Sequence, residues 1–114
     1  LDVNTELLTV CTDWQLRESG LNDHTDAAYD RSVIERLEAV DAKVQPVCAD
    51  LASALERFCD YGSRFANALE RVRAGERDWF AKPMIDSYHT IWFELHEDLL
   101  ATLGIERSKE GSTA

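Results

Sequence analysis

The sequence predicts an all-α protein, an antiparallel bundle of about four helices. Apolar residues recur at three- and four-residue intervals in four stretches. Alternating apolar and polar residues, the pattern of a half-buried strand, are absent, and short links between the stretches favour antiparallel neighbours. At 114 residues the chain is the size of one domain, and we expect a helical domain over residues 1–105 and a polar C-terminal tail over residues 106–114.

The first predicted helix extends from Asp2 to about Glu18, with Leu7, Val10 and Trp14 at helical spacing. A polar connection with turn-forming residues follows it. The second helix begins between residues 26 and 33. Its start has two candidates, a capping threonine at position 25 and a capping-box pattern that joins residues 32 and 35.

Pro46 interrupts the apolar pattern of the second stretch. Because proline lacks the N–H that a helix interior needs, we expect helix two to end near Lys43 and helix three to extend from Val47 to about Ala74. One long helix kinked at Pro46 is the alternative. Gly62 lies on the apolar face of helix three, where its cost of about 1 kcal/mol is offset if a neighbouring helix approaches closely.

The fourth predicted helix extends from Pro83 to Ile105 and has the strongest amphipathic pattern. Proline suits its first turn, and Gly104 fits a Schellman cap at its end. The preceding connector, residues 76–82, contains Trp79 and Phe80, and we expect it to fold back onto the core.

The net charge of −10, from 22 acidic and 12 basic residues, disfavours nucleic acid and anionic membranes as partners. No apolar run reaches the length of a transmembrane helix. Cys48 and Cys59 fall on one predicted helix about 16 Å apart, too far for a disulfide. With Cys11 they are predicted to be reduced core thiols, and the first residues, LDVNTELL, lack the basic start of a signal peptide, so we expect a cytoplasmic protein.

Metal-binding candidates are few. His89 and His96 share a helix face, but their spacing of about 10 Å exceeds what one ion spans. Two Glu-x-x-Glu pairs resemble the magnesium-binding pairs of all-α nucleotide pyrophosphatases, although both fall on outward helix faces where solvated surface is the simpler interpretation. The candidates are therefore Glu35, Glu38, Glu94, Glu97 and His89.

One part of the fourth helix resembles a known family. The matching residues are Asp86-Ser87-Tyr88-His89, Trp92, Glu97, Leu99-Leu100 and Leu103-Gly104-Ile105. They are similar to a helix in the N-terminal half of nitrile hydratase β subunits and of the small accessory (activator) proteins of that enzyme. The segment from Arg64 to Val72 faintly resembles the preceding helix of the β subunits. His89 departs from the family pattern, which has an aromatic residue there.

The resemblance implies a β-like or accessory subunit without a catalytic centre of its own. Such a subunit packs on an α-type subunit that holds cobalt or iron, so we expect no cofactor bound directly by this chain. Tyr88, His89 and Trp92 would face the partner and its substrate channel. Phe93, together with Trp79 and Phe80, is expected to form an exposed apolar patch that contacts a partner.

Two other interpretations of the sequence remain. One is a helical interaction module unrelated to nitrile hydratase, such as a homodimer joined through helices three and four. The other is a small metal-dependent all-α hydrolase that uses the Glu pairs. A subunit should gain stability with its partner, a homodimer should have a concentration-dependent melting temperature, and a hydrolase should retain metal.

Overall fold

The structure, a computed structural model, describes residues 2–109 and the side chains of residues 2–103. The helices are α1 (Val3–Gln15), α2 (Ala27–Ala54), α3 (Tyr61–Arg73), α4 (Asp78–Ala81) and α5 (Tyr88–Lys109), with a 3-10 turn at Glu56–Phe58 and a hairpin of β1 (Leu16–Arg17) and β2 (Gly20–Leu21). The prediction of an all-α protein is confirmed for this part of the chain. Among these helices, none is both long and apolar enough to cross a membrane. Residues 110–114 of the predicted tail lie outside the described residues.

α1 begins at a good capping residue. The Asp2 carboxylate accepts a hydrogen bond of 2.8 Å from the Thr5 backbone N–H, which satisfies one of the free donors of the first turn. The helix ends at Gln15 and not near Glu18, because the chain turns into the small hairpin, in which Leu16 pairs with Leu21. Each strand has two residues, too few for an alternating pattern to be visible in the sequence.

α2 begins at Ala27, within the predicted range, but its cap is Asp26 and neither of the two predicted capping residues. The Asp26 carboxylate accepts from the Tyr29 backbone N–H at 3.1 Å. Ser32 lies inside the helix, where its hydroxyl donates to the Tyr29 carbonyl. An aspartate at the N-cap also complements the positive end of the helix dipole.

The predicted helix break at Pro46 is wrong, because α2 continues through it to Ala54. Pro46 is exposed, as is Ala42, whose carbonyl loses its partner, so water can reach that end of the helix turn. Val44 and Cys48 are buried on the opposite face. Packing of this face outweighs a local penalty of about 3 kcal/mol.

The real break comes at Leu55, which is extended with φ −141° and ψ 123°. It separates α2 from the 3-10 turn and α3, so Cys48 and Cys59 belong to different elements. All three cysteines are free, and Cys59 is exposed. Its predicted core position is therefore wrong, whereas Cys11 and Cys48 are buried as expected.

Gly62 allows α3 to lie close to α2, as the sequence predicts. A Cβ atom at this position would lie 3.1 Å from Oε1 of Gln45 and 3.5 Å from Cβ of Cys48. Nε2 of Gln45 donates to the Gly62 carbonyl at 2.9 Å. The contact between the helices therefore consists of a side-chain amide bonded to a helix backbone.

α3 ends in a Schellman motif, and the prediction that Gly75 ends this helix is confirmed. Gly75 has φ +95°, which favours glycine. Its N–H donates to the Val72 carbonyl at 3.0 Å, and the Glu76 N–H donates to the Arg71 carbonyl at 2.9 Å. The chain thereby reverses into α4, which folds back on the core: Phe80 is fully buried and stacks on Trp14 at 4.4 Å between ring centroids.

α5 begins at Tyr88, five residues after the predicted start at Pro83. Ser87 provides the better cap, since its hydroxyl accepts from the Thr90 N–H at 3.3 Å and donates to the Lys82 carbonyl at 2.8 Å. The helix continues past Gly104 to Lys109. The predicted Schellman cap at Gly104 is therefore wrong.

Two ion pairs connect α1 with α2. They join an early residue of α1 to a later residue of α2 and a late residue of α1 to an earlier residue of α2, so these two helices are antiparallel. Lys43 lies 2.7 Å from Glu6, and Arg36 lies 2.8 Å from Asp13. The core between the helices is apolar and contains Leu7, Val10, Trp14, Val33, Leu37, Val40, Val44, Phe58, Phe65, Leu69, Val72, Phe80, Ile91 and Leu95, among others.

We predict that Pro46→Ala raises the free energy of unfolding by about 1–2 kcal/mol, because alanine restores the donor to the Ala42 carbonyl in the middle of a helix. Urea denaturation measures the change. The matched control is Pro83→Ala, in a turn, which should lower stability slightly by making the unfolded chain more flexible. A loss of stability in Pro46→Ala would mean that the packing of α2 requires proline at this position.

We also predict that, under native conditions, one thiol reacts fast with a thiol-reactive disulfide reagent and two thiols react slowly. Cys59 is exposed, whereas burial raises the pKa of Cys11 to about 12 and that of Cys48 to about 11, so few thiolates form there. Cys59→Ser should remove the fast phase. Rapid reaction of a second thiol in that variant would contradict the burial of Cys11 and Cys48.

Candidate functional site

Tyr88, predicted to face a partner, instead holds α5 on α2. Its side chain is fully buried, and its hydroxyl donates to Oδ1 of Asp41 at 2.7 Å. Burial and this bond to a carboxylate both raise the pKa of the phenol. Because the side chain has no exposed surface, it cannot contact a partner without unfolding the core.

The other predicted contact residues do not form one patch. Trp92 is half-buried, and its indole N–H donates to Oδ1 of Asn4 at 2.8 Å. Trp79 is half-buried below the Arg71 guanidinium, which lies 4.4 Å from the ring centroid. Phe93 is 63% exposed on α5. Trp79 and Phe93 therefore have separate surroundings.

Phe93 belongs to a different exposed set, which we call the α5 stripe: Phe93, His96, Leu100 and Leu103. The three apolar members are 63%, 57% and 54% exposed. They occur at positions i, i+3, i+7 and i+10, the spacing of a helix face that packs against another helix. His96 is also exposed and lies edge-on to Trp92, with 6.0 Å between ring centroids.

Charged residues on the other side of α5 bind it to the start of α3. Arg64 forms ion pairs with Glu94 and Asp86, and its hydrogen bond to Glu94 lowers the pKa of that carboxyl. The Tyr61 hydroxyl donates to Oδ2 of Asp98 at 3.0 Å, and burial followed by this bond raises the pKa of Tyr61. These contacts fix the rotation of α5 and leave the α5 stripe facing outward.

The predicted metal candidates do not converge on one site. Glu38 accepts from Nε of Arg73 at 2.6 Å, and Glu94 is occupied by Arg64. Glu35 and Glu97 are exposed on different helices, and His89 is half-buried on α5. Across the described part of the chain, no three His, Cys, Asp or Glu side chains are grouped so that they could hold a metal ion.

A polar cluster that was not predicted from the sequence lies between the hairpin and α2 and is formed by Asn22, His24 and Asp30. Asn22 and Asp30 are each 8% exposed. The Asn22 amide donates to the Trp14 carbonyl at 2.9 Å and to Oδ1 of Asp30 at 3.0 Å. Nδ1 of His24 lies 2.8 Å from Oδ2 of Asp30 and donates to it, since a carboxylate only accepts.

The cluster fixes the orientation of the His24 ring. The backbone of His24 has φ +61°, a conformation that costs a non-glycine residue on the order of 1 kcal/mol or more. The centroid of the His24 ring lies 4.5 Å from that of the Trp14 ring. With Nδ1 bonded to Asp30, Nε2 points away from the cluster and has no hydrogen-bond partner among the described residues. One sequence signal was available: Asp30 continues the buried row of α2 that includes Val33 and Leu37.

We predict that Asp30→Ala lowers the free energy of unfolding by about 1–3 kcal/mol, because the buried Asn22 amide and the half-buried His24 ring lose their acceptor. The control is Asp23→Ala, an exposed residue of the same loop whose carboxylate bonds only with Thr25 and whose loss should cost less than about 1 kcal/mol. Chemical denaturation of both variants measures the difference. Equal losses would show that the buried cluster has no special role in stability.

Comparison of this chain with protein-family models, with curated proteins and with solved structures found no match.

Proposed function

We propose that this chain acts as a non-catalytic subunit that binds a partner protein through the α5 stripe. The observation that carries the proposal is the exposure of three large apolar side chains, Phe93, Leu100 and Leu103, on one face of one helix. Single exposed apolar residues are ordinary, but a contiguous row is typical of an interaction site. An amphipathic helix face with this spacing fits a groove on a partner.

The position of α5 supports the proposal. Asn4, in the first turn of α1, meets Trp92, and the other end of α1 meets α4 through the Trp14–Phe80 stack. α1 therefore covers α5 only up to about Trp92. The rest of α5 extends beyond the end of α1, where a partner has access to it.

The partner we propose is the α-type subunit of a nitrile-hydratase-type enzyme, as the resemblance of the same helix implies. Cobalt or iron would belong to that subunit, and this chain would support metal loading or close the active site. The exposed carboxylate of Glu97 beside the α5 stripe favours a partner groove with a basic rim. The proposal includes a cytoplasmic location and an antiparallel bundle of α1, α2, α3 and α5 as the scaffold.

The alternative is a second copy of this chain. Helix faces with the spacing of the α5 stripe pair with their own kind in coiled coils. The histidine within the α5 stripe weakens such a contact, because a polar ring is costly to bury without a hydrogen-bond partner. A symmetric dimer through α5 is nevertheless a defined outcome of the experiment below.

We predict that the tagged chain, purified at native expression from its own cells, retains a larger protein with a cysteine-rich cobalt or iron site. The variant Phe93→Glu/Leu100→Glu should lose this protein, with an affinity at least about 30-fold weaker, since each buried apolar anchor contributes on the order of 1–2 kcal/mol. Mass spectrometry and metal analysis identify what is retained.

The matched control is Met84→Glu, which adds a charge at an exposed apolar residue outside the α5 stripe. It should retain the partner. Recovery of the wild-type chain alone and monomeric would contradict association, and a metal-free homodimer broken by the double variant would establish the alternative. Loss of the partner in Met84→Glu as well would move the contact away from α5.

A further inference from the structure

Nearly all described cationic side chains are neutralised within the chain. Of the twelve Lys and Arg residues, ten lie where side chains are described, and eight of these form ion pairs: Arg17, Arg36, Lys43, Arg57, Arg64, Arg71, Arg73 and Lys82. The two that form none among the described residues are Arg31 and Arg77. Two arginines that form no ion pair among the described residues are unexpected in a chain with 22 acidic residues, because carboxylate partners are abundant.

Arg31 and Arg77 line the same cleft. The cleft has a volume of about 430 Å³ and lies between the first part of α2 and the junction of α3 and α4. Its lining also includes Trp14, His24 and Ile34. This volume is within the range of small-molecule sites, which combine an apolar wall with a few polar groups.

The two arginines reach the cleft from different parts of the fold. Arg31 lies in the second turn of α2, directly after the buried Asp30. Arg77 follows the Schellman reversal at Gly75, which directs the chain from α3 back across the cleft. The cleft wall between them is held rigid, because Trp14 is stacked on Phe80 and covered by the His24 ring, which Asp30 fixes.

We propose that this cleft binds a small organic anion, a carboxylate or a phosphate monoester with a planar or apolar body. Its acidic group lies between the guanidinium groups of Arg31 and Arg77, which bind such oxygens with two parallel N–H donors. Its body lies against the wall formed by His24 and Ile34. The site is separate from the α5 stripe and does not depend on the proposed partner.

The acidic residues of the lining determine which anions fit. Asp30 is occupied by His24 and Asn22, and Glu38 is occupied by Arg73. Glu35, one turn after Arg31 and exposed, has no ion pair among the described residues. Its carboxylate repels excess negative charge, so it limits affinity for a simple anion and favours a ligand that also carries a hydrogen-bond donor.

The test uses phenyl phosphate as the probe, with benzoate and inorganic phosphate for comparison, at constant ionic strength. Binding is followed by NMR through the ring resonances of His24 and Trp14, which report on the cleft itself. We expect saturable shifts with a millimolar or tighter dissociation constant for phenyl phosphate and weaker binding of inorganic phosphate, which lacks the body. Benzoate shows whether a carboxylate is accepted as well as a phosphate.

Three variants are expected to change the affinity for phenyl phosphate in different ways, and together they test the proposal. Arg31→Gln/Arg77→Gln should weaken phenyl phosphate binding at least about tenfold, because charge-assisted hydrogen bonds are lost. Glu35→Gln should strengthen it about two- to threefold by removing a like charge. Arg36→Gln, the control, removes one positive charge from an exposed residue of α2 outside the cleft and should change affinity by less than about twofold.

Several results would overturn the proposal. These are the absence of saturable shifts at His24 and Trp14, equal weakening by the control and by the double variant, or inorganic phosphate binding as tightly as phenyl phosphate. All four arginine and glutamate positions are exposed, so their substitution should leave folding intact, which melting temperatures verify. Because no partner is needed for binding, failure here leaves the proposed subunit role untouched.

Discussion

The arrangement of the helices depends on one half-buried carboxylate, that of Asp41. It accepts hydrogen bonds from the Tyr88 hydroxyl at 2.7 Å and from the Gln45 amide at 3.2 Å, and the same amide also donates to the Gly62 carbonyl. One charge in the middle of α2 therefore aligns both α3 and α5. Apolar surfaces tolerate sliding, whereas a polar network between packed helices is satisfied in only one register.

The sequence predicted those parts of the fold that depend on local periodicity and failed where packing overrides local preference. The row from Leu7 to Trp14 and the close approach at Gly62 follow from spacing alone. Pro46 shows the opposite case, because burial of the residues around it maintains the helix. A glycine after an apolar helical pattern marks a helix end at Gly75 but not at Gly104. Such a glycine therefore does not define a helix end without the surrounding contacts.

The two surfaces differ in how far the sequence could reveal them. The amphipathic pattern of α5 was visible, but which of its residues stay exposed depends on where α1 begins and on the α3 contacts that set its rotation. Tyr88 and Phe93 both fit a partner surface in sequence, and only the fold separates the buried one from the exposed one. Arg31 and Arg77 are far apart in the chain, and nothing local indicates that they line one cleft or that they form no ion pair among the described residues.

α3 separates these surfaces. Its first turns hold α5 through Tyr61 and Arg64, and its last turn, with Val72, lines the cleft, about 16 Å further along the axis. A protein seated on one end does not obstruct a small ligand at the other. With both proposed sites occupied, a ternary complex would assemble in either order, and any influence of one ligand on the affinity for the other would be equal in both directions.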